Sequence, residues 1–266
     1  MNIAVLGTGN MGKALINGLK NAYHDKISII AYDQNEKTLA GLDAHLMNPL
    51  KWFDGDLFPD AIIIAVKPSE IGNAILQFSS VSNDKKIKPL WISIAAGVNI
   101  VSLQNHLPSG ARICRVMPNT PALIGESMSA FSMNVNCQSE DQKTMETVLN
   151  AVGKCVVVPE KLMNAITGLS GSGPAYVYLF IEALIEGGVT AGLPYATARE
   201  CALQTVIGAA KMVFETGENP SVLKSKVMSP AGTTASGLLA LEAGAFKHAV
   251  ISAVTEATKR SEQLGA

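Results

Sequence analysis

Near the N-terminus lies the stretch Ile3-Ala4-Val5-Leu6-Gly7-Thr8-Gly9-Asn10-Met11-Gly12, which decides the fold of this chain. Its apolar residues predict a strand, its glycines fit the pattern G-x-G-x-x-G, and apolar residues then return at helical spacing. In a dinucleotide fold the first glycine makes a tight turn, the second lets backbone approach a pyrophosphate, and the third lets helix pack on strand. The anion then rests on the helix N-terminus. Because glycines also fall at this spacing in ordinary turns, the interpretation depends on the elements that follow.

A second apolar stretch, residues 27–32, predicts a strand that ends at Asp33, 21 residues after Gly12. A carboxylate at about this distance binds the adenosine ribose hydroxyls in dinucleotide folds. Asp33 has an alternative role as the N-cap of the short helix that follows. A site for NADP usually places Arg nearby, and the nearest cation here is Lys37, so the sequence favours NADH over NADPH.

Three further strands are predicted at residues 60–66, 91–97 and 112–117. Ligands collect beyond the carboxyl ends of strands in open α/β sheets, so the residues there become candidate walls of a cofactor site. Each is alternatively a plain strand-to-helix turn. Lys67 would lay its stem against the cofactor and keep its ammonium group in solvent. The predicted cofactor-binding residues are Leu6, Gly7, Thr8, Gly9, Asn10, Met11, Gly12, Asp33, Ala65, Val66, Lys67, Pro68, Ala95, Ala96, Gly97 and Asn119.

The composition is typical of a globular protein with small-molecule partners. The chain has 266 residues, a formal net charge of −1 and 48% hydrophobic residues, enough for one large domain or two medium ones. Without a basic excess it lacks the electrostatic footprint expected for nucleic acid or an anionic membrane. Its four cysteines have no C-x-x-C spacing and its four histidines do not cluster with them. Neither a metal site nor a disulfide framework is therefore expected.

The sequence also predicts a cytoplasmic protein. A strand that starts almost at the N-terminus leaves no room for a secretory signal peptide. The longest apolar run outside the strands, residues 175–181, ends at Glu182. This run is far shorter than the roughly 20 residues of a membrane-spanning helix.

The second half of the chain is predicted to be helical. Pro159 marks the expected boundary between a doubly wound α/β domain of the Rossmann type, residues 1–158, and an all-α domain, residues 159–266. The helices at residues 174–188 and 195–214 are apolar on nearly every face, so they must be buried. About a hundred helical residues cannot enclose several such helices alone. A dimer that interleaves them is the simplest solution, with a monomeric helical cap on the first domain as the alternative.

Two hydroxyl-rich stretches precede predicted helices in this half, Leu169-Ser170-Gly171-Ser172-Gly173-Pro174-Ala175 and Ser229-Pro230-Ala231-Gly232-Thr233-Thr234. Hydroxyls beside free amide groups at a helix start form a neutral anion cradle suited to a carboxylate. A capped helix start is the plainer alternative for each stretch. The helix after the second stretch is predicted to end at Gly244.

Six motifs occur in order along the chain. They are the glycine-rich stretch with Asn10-Met11, Ala65-Val66-Lys67-Pro68, Ser93-Ile94-Ala95-Ala96-Gly97-Val98, Met117-Pro118-Asn119-Thr120-Pro121, residues 169–176, and residues 229–234 with the following Gly237, Leu241 and Glu242. Together they resemble the pyrroline-5-carboxylate reductase family over essentially the whole chain. The chain departs from the family pattern at Ala231 and Ser127, where glycine is common, and at Tyr195, where Arg often stands. Ala231 matters most, since a methyl group shifts the loop if that position requires a positive φ.

This resemblance implies an NAD(P)H-dependent oxidoreductase that transfers a hydride to the C=N bond of 1-pyrroline-5-carboxylate, giving L-proline in the last step of proline synthesis. It also implies an interleaved homodimer, often assembled into decamers, that brings residues 229–234 over the nicotinamide. By the same likeness Thr234 is the catalytic residue and hydrogen-bonds the substrate ring nitrogen. Ser229 and the amide groups of Gly232 and Thr233 would hold the substrate carboxylate.

Two other functions stay open. A β-hydroxyacid dehydrogenase shares the two-domain plan and shows the pattern G-x-G-x-x-x-K-x-x-x-N in its second-domain glycine loop and helix. This chain has Val177 and Ile181 at the Lys and Asn positions, and neither residue can take a proton. A non-catalytic dinucleotide sensor would keep the fold and lose the activity, and Ala231 is the residue that supports this interpretation.

Overall fold

The computed structural model describes residues 1–52, 58–82 and 88–265, and these residues form an eight-stranded sheet flanked by helices. The strands are β1 Asn2–Leu6, β2 Ser28–Tyr32, β3 His45–Leu46, β4 Ala61–Ile64, β5 Leu90–Ser93, β6 Arg112–Met117, β7 Ser127–Met133 and β8 Gly153–Val157. Their order is β3-β2-β1-β4-β5-β6-β7-β8, and every neighbouring pair is parallel except β6 and β7. The order 3-2-1-4-5-6 is that of a doubly wound dinucleotide-binding sheet, which confirms the predicted fold class.

Helices connect the strands and make up the C-terminal part of the chain. They are α1 Asn10–Tyr23, α2 Glu36–Leu39, α3 Ile71–Ser82, α4 Ile100–Gln104, α5 Ser139–Asn150, α6 Met163–Ile166, α7 Gly173–Thr190, α8 Tyr195–Thr216, α9 Pro220–Lys226, α10 Thr233–Ala243 and α11 Phe246–Leu264. The two long helices predicted in the second half correspond to α7 and α8, and each is slightly longer than predicted.

Alternate residues of each central strand face opposite sides of the sheet. On β4, Ile63 joins one apolar core while Ile62 and Ile64 join the other, and all three are fully buried. The first core also takes residues from α1 and α5, and the second takes residues from α3 and α4. A strand covered by helices on both faces is continuously apolar, which explains the uninterrupted run in the sequence.

Two strands end earlier than predicted. β4 ends at Ile64 and β5 ends at Ser93, before residues 66 and 97 respectively. One further hydrogen bond continues each ladder, from Ala65 N to Leu6 O at 2.7 Å and from Ile94 N to Ile64 O at 3.1 Å. The residues beyond these bonds belong to the carboxyl rim of the sheet, where open α/β folds bind their ligands.

The chain divides into two compact units. The first unit comprises Met1–Ser172 together with the chain from Thr255 onward, and the second unit comprises Gly173–Val254. Helix α11 therefore contributes residues to both units. The boundary expected at Pro159 follows β8 and precedes this division, so the two functional domains at residues 1–158 and 159–266 stay a prediction.

The second unit exposes much of its apolar surface. All of Gly173–Val254 is described, and the buried hydrophobic residues there are Ala198 and Ala202. The helices α7 and α8 pack closely, since a Cβ on Gly188 would lie 3.0 Å from the Cβ of Ala198. Large side chains elsewhere lie open, among them Leu239 at 72% exposure. The unit as a single chain therefore leaves its apolar helix faces uncovered.

A bend joins α10 to α11. The predicted C-cap Gly244 donates its N–H to Ala240 O at 3.0 Å, which confirms where α10 ends. The left-handed residue of this bend is Ala245, with a φ of +52°, and Gly244 keeps a negative φ. Taken singly, none of the described helices combines the length and apolarity needed to cross a bilayer, although the α10 and α11 pair, bent by 49°, meets that requirement by length and composition only.

Candidate functional site

Residues 7–12, here called the glycine loop, connect β1 to α1 and include the first residues of that helix. Two of the three glycines in this stretch are required by the backbone and its packing. Gly7 has a φ of +96°, and a Cβ there would lie 2.8 Å from the backbone of Ala65. A Cβ on Gly12 would overlap the carbonyl oxygen of Gly7. These are the tight turn and the close helix packing expected of the first and third glycines of the motif.

Gly9 differs because nothing in the chain itself demands a glycine there. Its φ of −65° and ψ of −172° are extended backbone that any residue adopts. Apart from Gly9 and its two chain neighbours, no described atom lies within 4 Å of the position that a Cβ would take. Gly9 is the N-cap of α1, and no side chain caps this helix start. The open space beside Gly9 and the uncapped amide groups of α1 fit a bound pyrophosphate.

Asp33 directly follows β2, and its carboxylate forms hydrogen bonds with the glycine loop. Its Oδ2 accepts the Thr8 N–H at 2.6 Å and the Thr8 hydroxyl at 3.2 Å, and its Oδ1 accepts the Asn35 N–H at 2.8 Å. The N-cap of α2 is Asn35, whose Oδ1 accepts the Lys37 N–H at 3.2 Å. The capping alternative for Asp33 is therefore wrong, because its carboxylate binds the glycine loop and the turn that precedes α2.

Hydrogen bonding keeps Asp33 ionised. Burial alone would raise the pKa of this carboxyl, but the N–H groups of Thr8 and Asn35 and the hydroxyls of Thr38 and Thr8 outweigh it, and the pKa lies below its ordinary value. Asp33 is therefore negatively charged at neutral pH. Such a carboxylate accepts hydrogen bonds from ribose hydroxyls and repels a phosphate group.

A cleft of about 570 Å³ opens at the carboxyl ends of β1, β2 and β4. The predicted cofactor-binding residues that line it are Leu6, Gly7, Gly9, Asp33, Ala65, Val66 and Lys67. Gln34, Asn35 and Thr38 line the same cleft and were not among the predicted residues. Asn35 and Thr38 are the N-cap and third residue of α2, so the pattern Asn-x-x-Thr was the available signal for two of them.

Other predicted wall residues contact the chain itself. Gly97 has a φ of +78°, and a Cβ there would meet Leu264 at 3.4 Å. Asn119 is buried, accepts the Met128 N–H at 3.1 Å and donates from Nδ2 to Ser170 O at 3.1 Å. These contacts fix the rim of the sheet, and a cofactor role for Gly97 and Asn119 stays a prediction.

Residues 229–234, here called the hydroxyl loop, lead into α10 in the second unit. Gly232 is the N-cap of that helix, and no side chain caps it. The Gly232 N–H donates to Ser229 O at 3.0 Å. Thr233 and Thr234 are the first two residues of α10, so their hydroxyls lie at an uncapped helix start. The alternative that a side chain of the loop caps this helix is wrong.

The backbone of the hydroxyl loop explains why Ala231 stands out. Ala231 has a φ of +54°, the left-handed conformation that favours glycine. An alanine in this conformation carries strain on the order of 1 kcal/mol. At Gly232 a Cβ would collide with Ser229 Oγ and lie 3.1 Å from Ser229 O, so a larger residue there would displace the Ser229 hydroxyl.

The other hydroxyl-rich stretch, residues 169–175, is largely helical. Thr167–Gly171 form a turn of π-helix, and the Ser172 N–H donates to Thr167 O at 2.8 Å. A Cβ on Gly171 would overlap the Cε of Met117, so this turn packs on the end of β6. The stretch is therefore not an open loop, because residues 169–171 belong to the wide helical turn. Anion binding by residues 169–175 stays a prediction.

The cysteines do not form a metal site. All four are free thiols, and a hydrogen bond to Cys137 together with burial raises the pKa of Cys114. Among residues 1–52, 58–82 and 88–265, no group of three or more His, Cys, Asp and Glu side chains is arranged to hold a metal ion.

The likeness to known proteins covers the whole chain. Residues 160–264 match the family model for pyrroline-5-carboxylate reductase dimerisation, and residues 2–97 match that for NADP oxidoreductase, coenzyme F420-dependent. The pyrroline-5-carboxylate reductase of Methanosarcina acetivorans is 40% identical over 266 residues, which cover 99% of this chain and 97% of the relative.

Solved structures agree with this result. The pyrroline carboxylate reductase of Plasmodium falciparum with NADP bound aligns over 100% of both chains with a TM-score of 0.86 and 35% identity. A pyrroline-5-carboxylate reductase from Coxiella burnetii aligns over 100% of this chain and 98% of its own with a TM-score of 0.89 and 30% identity. The likeness extends over the whole chain and includes both the glycine loop and the hydroxyl loop. The chain therefore belongs to the pyrroline-5-carboxylate reductase family.

Proposed function

We propose that this chain reduces the C=N bond of 1-pyrroline-5-carboxylate with a hydride from NADH or NADPH, giving L-proline. Family membership supports the reaction. The observation that carries it is Gly9, a glycine that the packing and backbone of this chain do not need but that a pyrophosphate does. The bound cofactor supplies the hydride, and the residues of the chain supply binding and orientation.

The first unit binds the dinucleotide in this proposal. The amide groups of the glycine loop and of α1 receive the pyrophosphate, and Asp33 accepts hydrogen bonds from the adenosine ribose. The exposed Lys67 keeps its ammonium group in solvent. We infer a preference for NADH, because an ionised Asp33 repels a 2′-phosphate and no Arg stands nearby. The Plasmodium relative was solved with NADP, so this preference is a property to be measured.

The hydroxyl loop binds the substrate. Ser229 and the amide group of Thr233 hold the carboxylate at the uncapped start of α10. The Gly232 N–H, which the sequence also assigned to the carboxylate, donates to Ser229 O instead. The Thr234 hydroxyl hydrogen-bonds the ring nitrogen and fixes the ring for hydride transfer. An imine is basic enough to arrive with its own proton, so the chain has only to orient it, and orientation supplies several kcal/mol.

The chemistry of the hydroxyl loop favours this reaction over the two alternatives. Residues 229–234 include no ionisable side chain, which suits a protonated imine but leaves an alcohol without a base to oxidise it. Val177 and Ile181 cannot provide that base. A dinucleotide sensor would bind cofactor without turnover, and activity separates it from a reductase. The predicted cytoplasmic location remains part of this proposal.

We also propose that the active form is a homo-oligomer built from interleaved dimers, with decamers as the larger assembly. The exposed apolar faces of α7, α8 and α10 support this, because isolated globular proteins rarely leave so much apolar surface open. The matched dimerisation family, which covers residues 160–264, supports it as well.

An activity assay tests the reaction and the role of Thr234. The purified chain, mixed with 1-pyrroline-5-carboxylate and either NADH or NADPH, is expected to consume the reduced cofactor, as followed by its absorbance. Thr234→Val should lower kcat by at least about tenfold, the loss of a hydrogen bond to a charged group. Cofactor Kd should stay within about twofold, and Thr234→Ser should restore most of kcat.

Each part of the proposal has its own contrary result. Tight cofactor binding without turnover by the parent chain would identify a sensor. Unchanged turnover by Thr234→Val would remove Thr234 from the mechanism while leaving the reaction standing.

A further inference from the structure

Two cysteines that are distant in the sequence meet beside the antiparallel pair of strands. Cys114 lies in β6, is fully buried and stands opposite Met133 of β7. After β7 the chain turns back, because the Asn134 N–H donates to Ile113 O at 3.0 Å and the Cys137 N–H donates to Asn134 O at 3.1 Å. This turn brings Cys137 next to the segment of β6 that contains Cys114.

The side chains of the two cysteines lie on the same face of the sheet. Ile113 belongs to the second core, whereas Cys114 belongs to the first core, and Cys137 packs against that first core. The Cys137 Sγ lies 3.5 Å from Ile113 O and 3.3 Å from Asn134 Oδ1. The two thiols also form a hydrogen bond with each other. Sulfur atoms in such contact are close enough for one to attack the other.

The surroundings of the two thiols give them different reactivities. The hydrogen bond with Cys114 lowers the pKa of the Cys137 thiol and outweighs burial and the Asp141 carboxylate, which raise it. The same hydrogen bond and burial raise the pKa of the Cys114 thiol. Cys137 therefore ionises first, and Cys114 donates its proton to the Cys137 thiolate. Cys137 is also half-buried rather than fully buried, so a small oxidant reaches it before it reaches Cys114.

We propose that Cys114 and Cys137 form a modification site at which a peroxide converts the two thiols into a reversible disulfide. Cys137 is the cysteine that the peroxide oxidises, and Cys114 is the cysteine that completes the disulfide. The proposal concerns the chemical state of the two thiols, so it does not depend on the reductase activity.

The reaction proceeds in two steps. The Cys137 thiolate attacks one oxygen of hydrogen peroxide, so an S–O bond forms, the O–O bond breaks and hydroxide leaves. This step oxidises the sulfur to a sulfenic acid and reduces the peroxide. The Cys114 sulfur then attacks the Cys137 sulfur, so the S–S bond forms, the S–O bond breaks, and the departing hydroxide leaves as water with the Cys114 proton. A thiol reductant restores both cysteines by thiol–disulfide exchange.

Cys155 is the matched control within the same chain. It is half-buried like Cys137, but burial and Glu146 raise the pKa of its thiol, which donates to Asn150 Oδ1 at 3.5 Å. Because the thiolate is the reactive form, Cys137 is expected to react with hydrogen peroxide at least about tenfold faster than Cys155.

The test is peroxide treatment of the folded, full-length chain, followed by alkylation of the remaining thiols, digestion and mass spectrometry without reductant. A cross-linked pair of peptides containing Cys114 and Cys137 is expected, and dithiothreitol should abolish it. In Cys114→Ala the disulfide cannot form, so dimedone should label the sulfenic acid that persists at Cys137. Alanine fills a core position of similar size, and the parent chain alone already tests the cross-link.

Three results would overturn the proposal. One is equal rates of oxidation at Cys137 and Cys155. Another is a dimedone adduct that accumulates on Cys137 of the parent chain, since Cys114 would then fail to complete the disulfide. The third is a cross-link through the exposed Cys201 in place of the one between Cys114 and Cys137.

Discussion

The two units of this chain bury their apolar residues to very different extents. In the first unit the strands of the central sheet are enclosed by helices on both faces, and Ile62 and Ile63 have no exposed surface. In the second unit Leu179, Phe214 and Leu239 are 67%, 65% and 72% exposed. Apolar residues in the first unit therefore specify a core within the chain, whereas those in the second unit specify an open apolar surface, which the proposed oligomer would cover.

The largest expected effect comes from a charge on that surface. Leu179 lies on α7 beside an apolar groove that Phe180 and Phe246 also line. Leu179→Asp should dissociate the oligomer and destabilise the second unit by roughly 3 kcal/mol or more, because burying the face would bury an unpaired charge. Size-exclusion chromatography with light scattering and thermal unfolding would report both changes.

The first unit provides the control for this experiment. Val135 lies between β7 and α5 and is 97% exposed. If the exposed Val135 lies on ordinary solvent-facing surface, Val135→Asp should change the free energy of unfolding by less than about 0.5 kcal/mol and leave the oligomer intact. Equal behaviour of the two variants would remove the contrast between the units.

A smaller effect is expected from relieving strain in the hydroxyl loop. Ala231→Gly should stabilise the protein by up to about 1 kcal/mol, because the left-handed penalty of alanine exceeds the extra freedom that glycine has when unfolded. Ala245→Gly, at a φ of +52° in the α10–α11 bend, is the matched control and should give a similar gain. Chemical denaturation of both variants measures the difference. A loss of stability at Ala231 alone would show that the methyl group makes contacts worth more than its strain.

The smallest expected effect concerns the charge of Asp33. The glycine loop is held by this carboxylate, whereas the hydroxyl loop contains no ionisable side chain. The pKa of Asp33 is held below its ordinary value in the folded chain. Its ionised form therefore contributes stability above the unfolded-state pKa, near 3.8, and this contribution is lost as the pH falls through the folded-state pKa. Asp33→Asn should flatten the fall in unfolding free energy as the pH drops below the unfolded-state pKa of 3.8, as measured by urea titration. If the unfolding free energies of the parent and the variant depend on pH in the same way, the ionised Asp33 does not stabilise the glycine loop.

Local pattern was enough to predict most of the first unit. The glycine loop and Asp33 follow from short-range rules of backbone geometry and spacing, and the buried strands follow from continuous apolar runs. The hydrogen bond between Asp33 and the glycine loop could not be predicted from local pattern, because Asp33 and Thr8 are 25 residues apart in the sequence. Thr38 was missed although the local pattern Asn-x-x-Thr was available, and its contact with Thr8, 2.7 Å between the two hydroxyls, becomes visible only when β1 and β2 lie side by side.

The second unit was predictable in a different way. Its long helices were predicted from the apolar pattern. The alanine at position 231, where glycine is common, raised the question of whether this position requires a positive φ, and Ala231 does have a positive φ in the structure. The π-turn at Thr167–Gly171 was not anticipated, because serine and glycine there read as an open loop. Gly171 of this turn packs against Met117, a residue about 50 positions earlier, and a contact at that distance does not appear in a local pattern.

Helix α11 makes the second unit an insertion with two covalent connections to the first. Its last turns belong to the first unit, where Ser261 Oγ donates to Asn164 Oδ1 at 2.9 Å and Leu264 packs against Gly97. A proteolytic nick between Ser172 and Gly173 would therefore yield two fragments that each carry part of the first unit's contacts. We expect these contacts to favour association of the fragments, so a gene split at this point should give products that reassemble.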